Sequence, residues 1–485
     1  MTTPTAVGPA GDPRLSACEL RAADRPEERR GSSRRPAPFA TGMPSSPEER
    51  SGPHRIVIVG GGAGGLQLAA RLGRTLCRQG LAEVLLIDRT LTHVWKPLLH
   101  ELAAGTLGGP ENELEFLQQA RRHGFRFHLG RMEGLDRAAK KVWLSPWVDE
   151  RGNEVAPRRG IPYDTLVLAL GSVVNDFGTA GVADHAVALD TADDARRFHR
   201  LLLAACARAE WTGSGPVRLA IVGGGATGVE LASELMDAVA EMAGYGTRLH
   251  RLERPVTLRL IESGPRLLAA LPETLSRQAL AEMEKLGVEV VLNQRVVEVG
   301  PDHLTLSSGD RLRSDITVWA AGIQGPKILA NLDGLLANRA HQLVVRPTLQ
   351  TTLDESIFAM GDCASCEPAP GAPPVPPRAQ AAQQQARFLA HALRLRVRND
   401  SPPLPSFVFH DRGSLVSLGR RNAIGKLLDG AGRTGGLTLR GLAARLGYWG
   451  LHRQHMARLQ GVWLTLLASV GRWLKGRSQP RVKLH

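Results

Sequence analysis

The chain has 485 residues, of which 43% are hydrophobic and 22% charged, and its formal net charge is +14. That length exceeds one ordinary core and that composition suits a globule of two or three domains, which excludes a wholly disordered or fibrous chain. The positive excess admits nucleic acid, an anionic membrane or anionic small molecules as partners, but no aromatic-laced nucleic-acid module or zinc-finger spacing accompanies it.

Residues 1–53 hold Arg, Pro, Ser and Glu with no apolar run. They read as a disordered tail, or as an extension from an over-early start codon, and they contain no secretory h-region. Order is expected from Arg55. Ile56-Val57-Ile58-Val59 reads as a buried strand that runs into Gly60-Gly61-Gly62-Ala63-Gly64-Gly65 and then a helical pattern. The cluster fits G-x-G-x-x-G at Gly60, Gly62 and Gly65. The first glycine makes the tight turn, the second admits a pyrophosphate, and the third packs helix on strand. A second strand ends at Asp88, whose carboxylate is placed to bind ribose hydroxyls.

The same unit recurs at Val217 to Val222, followed by Gly223, Gly225 and Gly228 in the same pattern and by Glu262 at the end of the next strand. A carboxylate there binds a ribose 2′-hydroxyl and repels a 2′-phosphate, so NADH is expected in preference to NADPH. Leu166 to Gly171 and Thr317 to Gly322 each run from a strand into a small-residue turn. Ile357-Phe358-Ala359-Met360-Gly361-Asp362 resembles the late FAD motif of two-dinucleotide flavoproteins, which implies an Asp362 contact to the flavin ribityl chain; a helix N-cap is the alternative. Five sparse cysteines form no secreted disulfide framework and suit a reducing compartment. Cys363-Ala364-Ser365-Cys366 has no second pair to complete a metal site and is expected to be structural rather than redox-active.

The last fifty residues contain Arg and Lys but no Asp or Glu. Leu459, Val462, Leu466, Val470 and Trp473 recur at helical spacing, flanked by Arg458, Arg472 and Lys475, with Trp449 and Trp463 nearby. This predicts a basic amphipathic helix lying in an anionic membrane surface, or else a helix packed on the protein itself. The apolar run Gly461 to Gly471 is about half of the roughly 20 residues needed to span a bilayer.

Taken together, IVIVGGGAGGL (56–66), THVWKPLLHELAAGTL (92–107), AIVGGGATGVEL (220–231), VWAAGI (318–323), GDCASC (361–366), PPRAQAA (376–382) and the PRVKLH end resemble type II NADH dehydrogenase, the single-subunit NADH:quinone oxidoreductase, in its proteobacterial branch. The resemblance covers about 54–485. It implies an α/β fold of two Rossmann-like dinucleotide-binding domains, with a C-terminal amphipathic membrane-attachment region. The expected division is an FAD domain of 54–170 plus 325–405, an NADH domain of 171–324, and attachment by 406–485. It further implies non-covalent FAD held by Gly60, Gly62, Gly64, Gly65, Asp88, Lys96, Gly171, Gly361 and Asp362, and NADH held by Gly223, Gly225, Gly228, Glu262 and Gly322. Lys96 and Pro97 are expected near the flavin ring, whereas Trp95 reads better as core packing. Glu230 is expected near the nicotinamide and quinone sites, although a glutamate is also favoured in a first helical turn by the dipole alone. Gln380 and Gln383 are expected to offer amides to ubiquinone or menaquinone, a solvated helix face being the alternative. The family expectation is a homodimer on the cytoplasmic face of a bacterial inner membrane, without metal, nucleic acid or proton pumping. A related flavoenzyme with a disulfide, ferredoxin or sulfide-linked acceptor and a non-catalytic NADH sensor are the competing readings.

Overall fold

The computed structural model describes residues 52–107, 113–244, 255–398, 403–419, 422–428 and 437–475. The expected tail up to residue 51, residues 245–254 between the second glycine loop and Glu262, the PRVKLH end and the side chains of Arg472, Trp473 and Lys475 lie outside the described residues.

In chain order the elements that place the site are β1 (His54–Val59), α1 (Gly65–Leu72), β2 (Ala82–Asp88), α2 (Leu99–Ala103), α3 (Phe116–His123), β3 (Arg126–Leu129) and β4 (Thr165–Leu168). There follow β5 (Ala186–Ala188), α4 (Ala192–Thr212), β6 (Val217–Val222), α5 (Ala226–Gly244), β7 (Val256–Ile261), β8 (Glu289–Val291) and β9 (Ile316–Trp319). The last group is β10 (Ile357–Ala359), α6 (Ala379–Arg398), β11 (Gly413–Ser417), β12 (Ala423–Leu427), β13 (Leu437–Arg440), α7 (Gly441–Gln460) and α8 (Val462–Lys475).

Two five-stranded parallel sheets carry the fold. The first has the order β10-β4-β1-β2-β3 and the second β5-β9-β6-β7-β8. Each glycine loop therefore leaves the central strand of its sheet, where helices cover both faces and the strands read as unbroken apolar runs. Ile56, Val57 and Ile58 are wholly buried, as are Leu166, Val167 and Leu168 beside them. The chain of the second sheet lies between β4 and β10 of the first. The fold is thus α/β with Rossmann-like parallel cores.

The antiparallel sheet β11-β12-β13 packs on the second core, with Val416, Leu418 and Ile424 in the same apolar cluster as Leu231 and Leu235 of α5. One sequence expectation changes in the C-terminal part: the apolar stripe from Leu459 onward is not one helical face. Gly461, at φ +89° and ψ +159°, ends α7 in a conformation open to glycine, and α8 starts afresh. Leu459 is consequently 1% exposed, whereas Val462, Leu466 and Val470 on α8 face outward and Trp463 is 80% exposed. No helix among the described residues is long and apolar enough to cross a membrane.

The first turn sets a stringent packing limit. A Cβ on Gly65 would lie 1.9 Å from the Gly60 carbonyl oxygen. Gly65→Ala is expected to lower the thermal midpoint by roughly 3–10 °C, the cost of overpacking a core contact, as differential scanning calorimetry would measure; an unchanged midpoint would mean that the turn relaxes freely.

Candidate active site

Both glycine loops are pinned in the same way. Gly60 and Gly223 leave their strands at φ +105° and +113°, which L side chains rarely adopt. Asp88 then accepts the Gly61 N–H on Oδ2 at 2.7 Å and the Thr90 N–H and hydroxyl on Oδ1 at 2.9 and 2.8 Å. Glu262 repeats this, taking the Gly224 N–H on Oε2 at 2.6 Å and the Gly264 N–H on Oε1 at 2.7 Å. Glu262 lies farther along the chain from its glycine loop than Asp88 does from the first, and the geometry is the same.

At Gly62 and Gly225, in contrast, an added Cβ would meet no protein atom within 4 Å. Nothing in the protein requires glycine there. Both face open space at the start of a helix, where unpaired N–H groups and the helix dipole attract a diphosphate. The residues therefore fit a dinucleotide at each loop. Gly64 has a packing role as well, since a Cβ would lie 2.4 Å from the Met360 methyl and 3.1 Å from the Ala382 carbonyl. Gly171 and Gly322 occupy equivalent left-handed turns, at φ +70° and +65°.

Lys96, Ser172, Asp190 and Asp362 meet beyond the first loop. The Lys96 ammonium donates to the Ser172 carbonyl at 2.8 Å and stands 3.9 Å from Asp190, while the Ser172 hydroxyl donates to Asp362 at 2.9 Å. Burial raises the carboxyl groups of Asp362 and Asp190 above their ordinary value; hydrogen bonds from Ser172 and the Val174 N–H, together with the Lys96 charge, oppose it. Asp362 lies in a short turn (361–363), well before α6, so it does not cap that helix. Cys363 and Cys366 are free and buried, and burial lifts both thiols to about 11, which leaves little thiolate for redox exchange. No group of three metal-ligating side chains occurs among the described residues.

Glu230 occupies a junction that its sequence neighbours do not reveal. It is buried on α5 and faces α2, β11 and α7 together. Its Oε1 accepts the Ser417 N–H at 3.0 Å and its Oε2 lies 3.6 Å from His100 Nδ1. Burial pushes the carboxyl up to about 8, against the pull of the Ser417 N–H and Tyr448 hydroxyl and with added repulsion from Glu101 and Glu234. Burial also lowers His100 to about 4, partly offset by the Pro97 carbonyl, so at neutral pH the pair is an uncharged contact and no ion pair. Tyr448 also lies 3.3 Å from the Pro97 carbonyl. It has one proton to give. When Glu230 is protonated, its O–H can donate to Tyr448 while Tyr448 donates to Pro97; when Glu230 ionises, Tyr448 turns its proton to the carboxylate.

Gln380 and Gln383 are held on one side of α6 by the C-terminal part. The Gln380 amide donates to Asp411 and to the Gly413 carbonyl, both at 3.0 Å, and accepts the Arg412 N–H. Gln383 pairs with His455 Nδ1 at 3.1 Å and accepts from Arg458 at 2.5 Å. Trp95 is buried and stacks on His452 and His455 of α7, with centroids 5.2 and 5.5 Å away.

The profile of the pyridine nucleotide-disulphide oxidoreductase family matches residues 54–386. A Haemophilus influenzae protein named type II NADH:quinone oxidoreductase is 41% identical over 451 residues, covering 89% of this chain and 99% of its own. The chain belongs to the type II NADH:quinone oxidoreductase family. A Mycobacterium tuberculosis member is 29% identical over 392 residues, covering 77% of this chain and 80% of its own. The structure of NDH2 from Plasmodium falciparum in complex with NADH has the same fold, with a TM-score of 0.74 at 18% identity, covering 89% of this chain and all of that one. The sulfide:quinone oxidoreductase of Aquifex aeolicus shares the fold at TM-score 0.64 and 20% identity, covering 84% and 92% of the two chains.

Reading the sequence of this family member missed Ser172, Asp190, His100 and Tyr448. Ser172 adjoins the turn ending at Gly171 and His100 lies within the 92–107 block, but neither was given a role; Asp190 and Tyr448 lie outside the quoted motifs. The Glu230 environment gives a pH signature. The folded carboxyl keeps its proton up to about 8, against an ordinary 4.5. The stabilisation from that proton is complete below the unfolded value and is lost as pH rises through the folded one. Glu230→Gln keeps the neutral shape, so at pH 9 its thermal midpoint should exceed that of the parent by at least about 2 °C, with no such gain at pH 5. Equal differences at both pH values would place the ionisation elsewhere.

Proposed function

We propose that the protein oxidises NADH at the second glycine loop and reduces a membrane quinone through FAD held at the first. Gly62 and Gly225 carry this reading, since their lack of a side chain serves no protein contact and leaves room for two diphosphates. The FAD part comprises 54–170 and 325–405, the NADH part 171–324, and 406–485 attaches the protein to the cytoplasmic face of a bacterial inner membrane, as one half of a homodimer. The name of the Haemophilus relative, and the NADH in complex with the Plasmodium protein, support the donor and acceptor classes.

Bound flavin supplies a two-electron relay between a hydride donor and a quinone. The chain's own groups orient and protonate. Asp88 and Glu262 hold the loops and offer their remaining lone pairs to ribose hydroxyls. Lys96 brings positive charge beside Ser172 and Asp362. Glu230 holds a proton at its carboxyl near neutral pH, backed by Tyr448 and His100, and in this reading gives it to a quinone oxygen. Gln380 and Gln383 donate amide N–H groups to quinone carbonyls in exchange for their present partners in 411–413 and His455. The overall change is NADH + H⁺ + quinone to NAD⁺ + quinol, and it is coupled to no proton pumping.

Anaerobic addition of NADH should bleach the flavin absorbance, and a short-chain ubiquinone should restore it, with NADPH at least about tenfold slower, a loss of 1.4 kcal/mol. Bleaching without restoration by quinone would overturn the acceptor. Gly62→Ala should purify folded but without flavin; Gly225→Ala should keep its flavin while its KM for NADH rises about tenfold or more. Flavin retained in the first variant, or an unchanged KM in the second, would move the diphosphates away from these loops. Turnover in sealed vesicles should move no protons across the bilayer, as a pH-sensitive dye would report.

A further inference from the structure

We propose that the arginines gathered where α1, α3, α6 and α7 meet form a binding site for the anionic phosphates of phospholipid headgroups, set beside the exposed apolar face of α8. The inference rests on the membrane attachment argued above, and it adds a site built largely outside the C-terminal part.

The six guanidiniums are those of Arg71 on α1, Arg74 just beyond it, Arg122 on α3, Arg387 and Arg394 on α6, and Arg458 on α7. Some other arginines of this protein are paired with carboxylates. Arg55 and Arg218, at the starts of the two central strands, each meet an aspartate through two side-chain nitrogens, Asp164 and Asp315. Among the described residues none of the six stands within ion-pair distance of a carboxylate. Their hydrogen bonds among the described residues go to a carbonyl, an amide oxygen and an imidazole nitrogen. Arg74 donates to the Ala70 carbonyl at 3.1 Å, Arg458 to the Gln383 amide oxygen at 2.5 Å, and Arg394 faces His391 at 3.5 Å. The Arg71 Nε is buried without a hydrogen-bond partner.

The charges are mutually close. Burial first, and then neighbouring guanidiniums alone, hold Arg71, Arg74 and Arg458 below the usual arginine value; Arg387 acts on both Arg71 and Arg458, and Arg122 acts on Arg74. Such a concentration of like charge costs stability unless an anion neutralises it. Guanidinium forks suit phosphate oxygens, which they can grip in pairs.

A second, independent observation selects the source of the phosphate. The Arg122 guanidinium lies 3.1 Å from where a Cβ of Gly461 would be, so the cluster abuts the start of α8. There Val462, Trp463, Leu466, Leu467 and Val470 are exposed. Cations next to an exposed tryptophan and aliphatic face match the layered chemistry of a bilayer surface, phosphate above and acyl chain below. A free phosphate or a nucleic-acid backbone would use the guanidiniums but not the apolar face.

The test uses the full chain with its flavin bound and compares partition onto vesicles of phosphatidylglycerol mixed with phosphatidylcholine against vesicles of phosphatidylcholine alone. Arg74→Gln, Arg122→Gln and Arg387→Gln combined should lower partition onto the anionic vesicles roughly ten- to hundredfold, given about 1 kcal/mol per basic residue near such a surface, and change partition onto the neutral ones little. The corresponding triple Lys variant should retain most of the binding. NADH turnover with a soluble short-chain quinone should stay at the parental rate in both, which verifies folding and separates this proposal from the functional one. Trp463→Ser should weaken binding to both vesicle types; failure of that arm alone would count against attachment through α8. Parental binding of the triple Gln variant to anionic vesicles would overturn the proposal. So would a loss of inorganic phosphate binding, or of duplex DNA retention, in the triple Gln variant with its vesicle binding unchanged.

Discussion

Each dinucleotide loop in this protein is held by a carboxylate that binds the loop's own backbone. Asp88 closes on the Gly61 N–H and Glu262 on the Gly224 N–H, each from the end of the adjacent parallel strand, and each carboxylate is steadied by a further N–H of the turn that follows it. The bond ties the glycine turn to the neighbouring strand before any ligand arrives. It thereby fixes where the following helix begins and where its free N–H groups point. With the loops set in advance, less ordering entropy remains to be lost when a nucleotide binds. The second dinucleotide unit copies the first bond for bond although the intervening chain differs in length.

The parts of this arrangement that were legible in the sequence are those encoded locally. A strand, a glycine turn and a helix lie within a few residues of one another, and the forbidden backbone angles at Gly60 and Gly223 require the residue type seen there. Asp88 and Glu262 were readable because strands end where acids begin. The surroundings of Glu230 were not, because they come from His100, Ser417 and Tyr448, which join it only through tertiary packing. Periodicity also misled at Leu459 and Val462. They share a helical spacing in the sequence, but the backbone angles of Gly461 put one in the core and the other outside. Likewise, helical spacing put Gln380 and Gln383 on one face and could not reveal that 411–413 and α7 cover it.

Glu230 and Lys96 show how one fold handles opposite electrostatic demands. Lys96 is half exposed and its side-chain nitrogen stands among carbonyl and carboxylate oxygens. Glu230 is excluded from water, so it favours its neutral form, and its conversion to the anion is answered by a single hydroxyl that can turn between two acceptors. Such a site can gain or lose a proton without a displacement of the backbone.

The glycine between α7 and α8 has a mechanical consequence. Tyr448, His452, His455 and Leu459 root α7 in the body of the protein, through Glu230, Trp95, His93 and the buried core. Helix α8 begins after the one residue there whose backbone can rotate without a side-chain clash. On the attachment proposed above, a bend in the surface under α8 would reach Gly461 before it reached α7. Glu230, on the far side of that joint, would then stand apart from the load, much as a bearing separates a shaft from its housing.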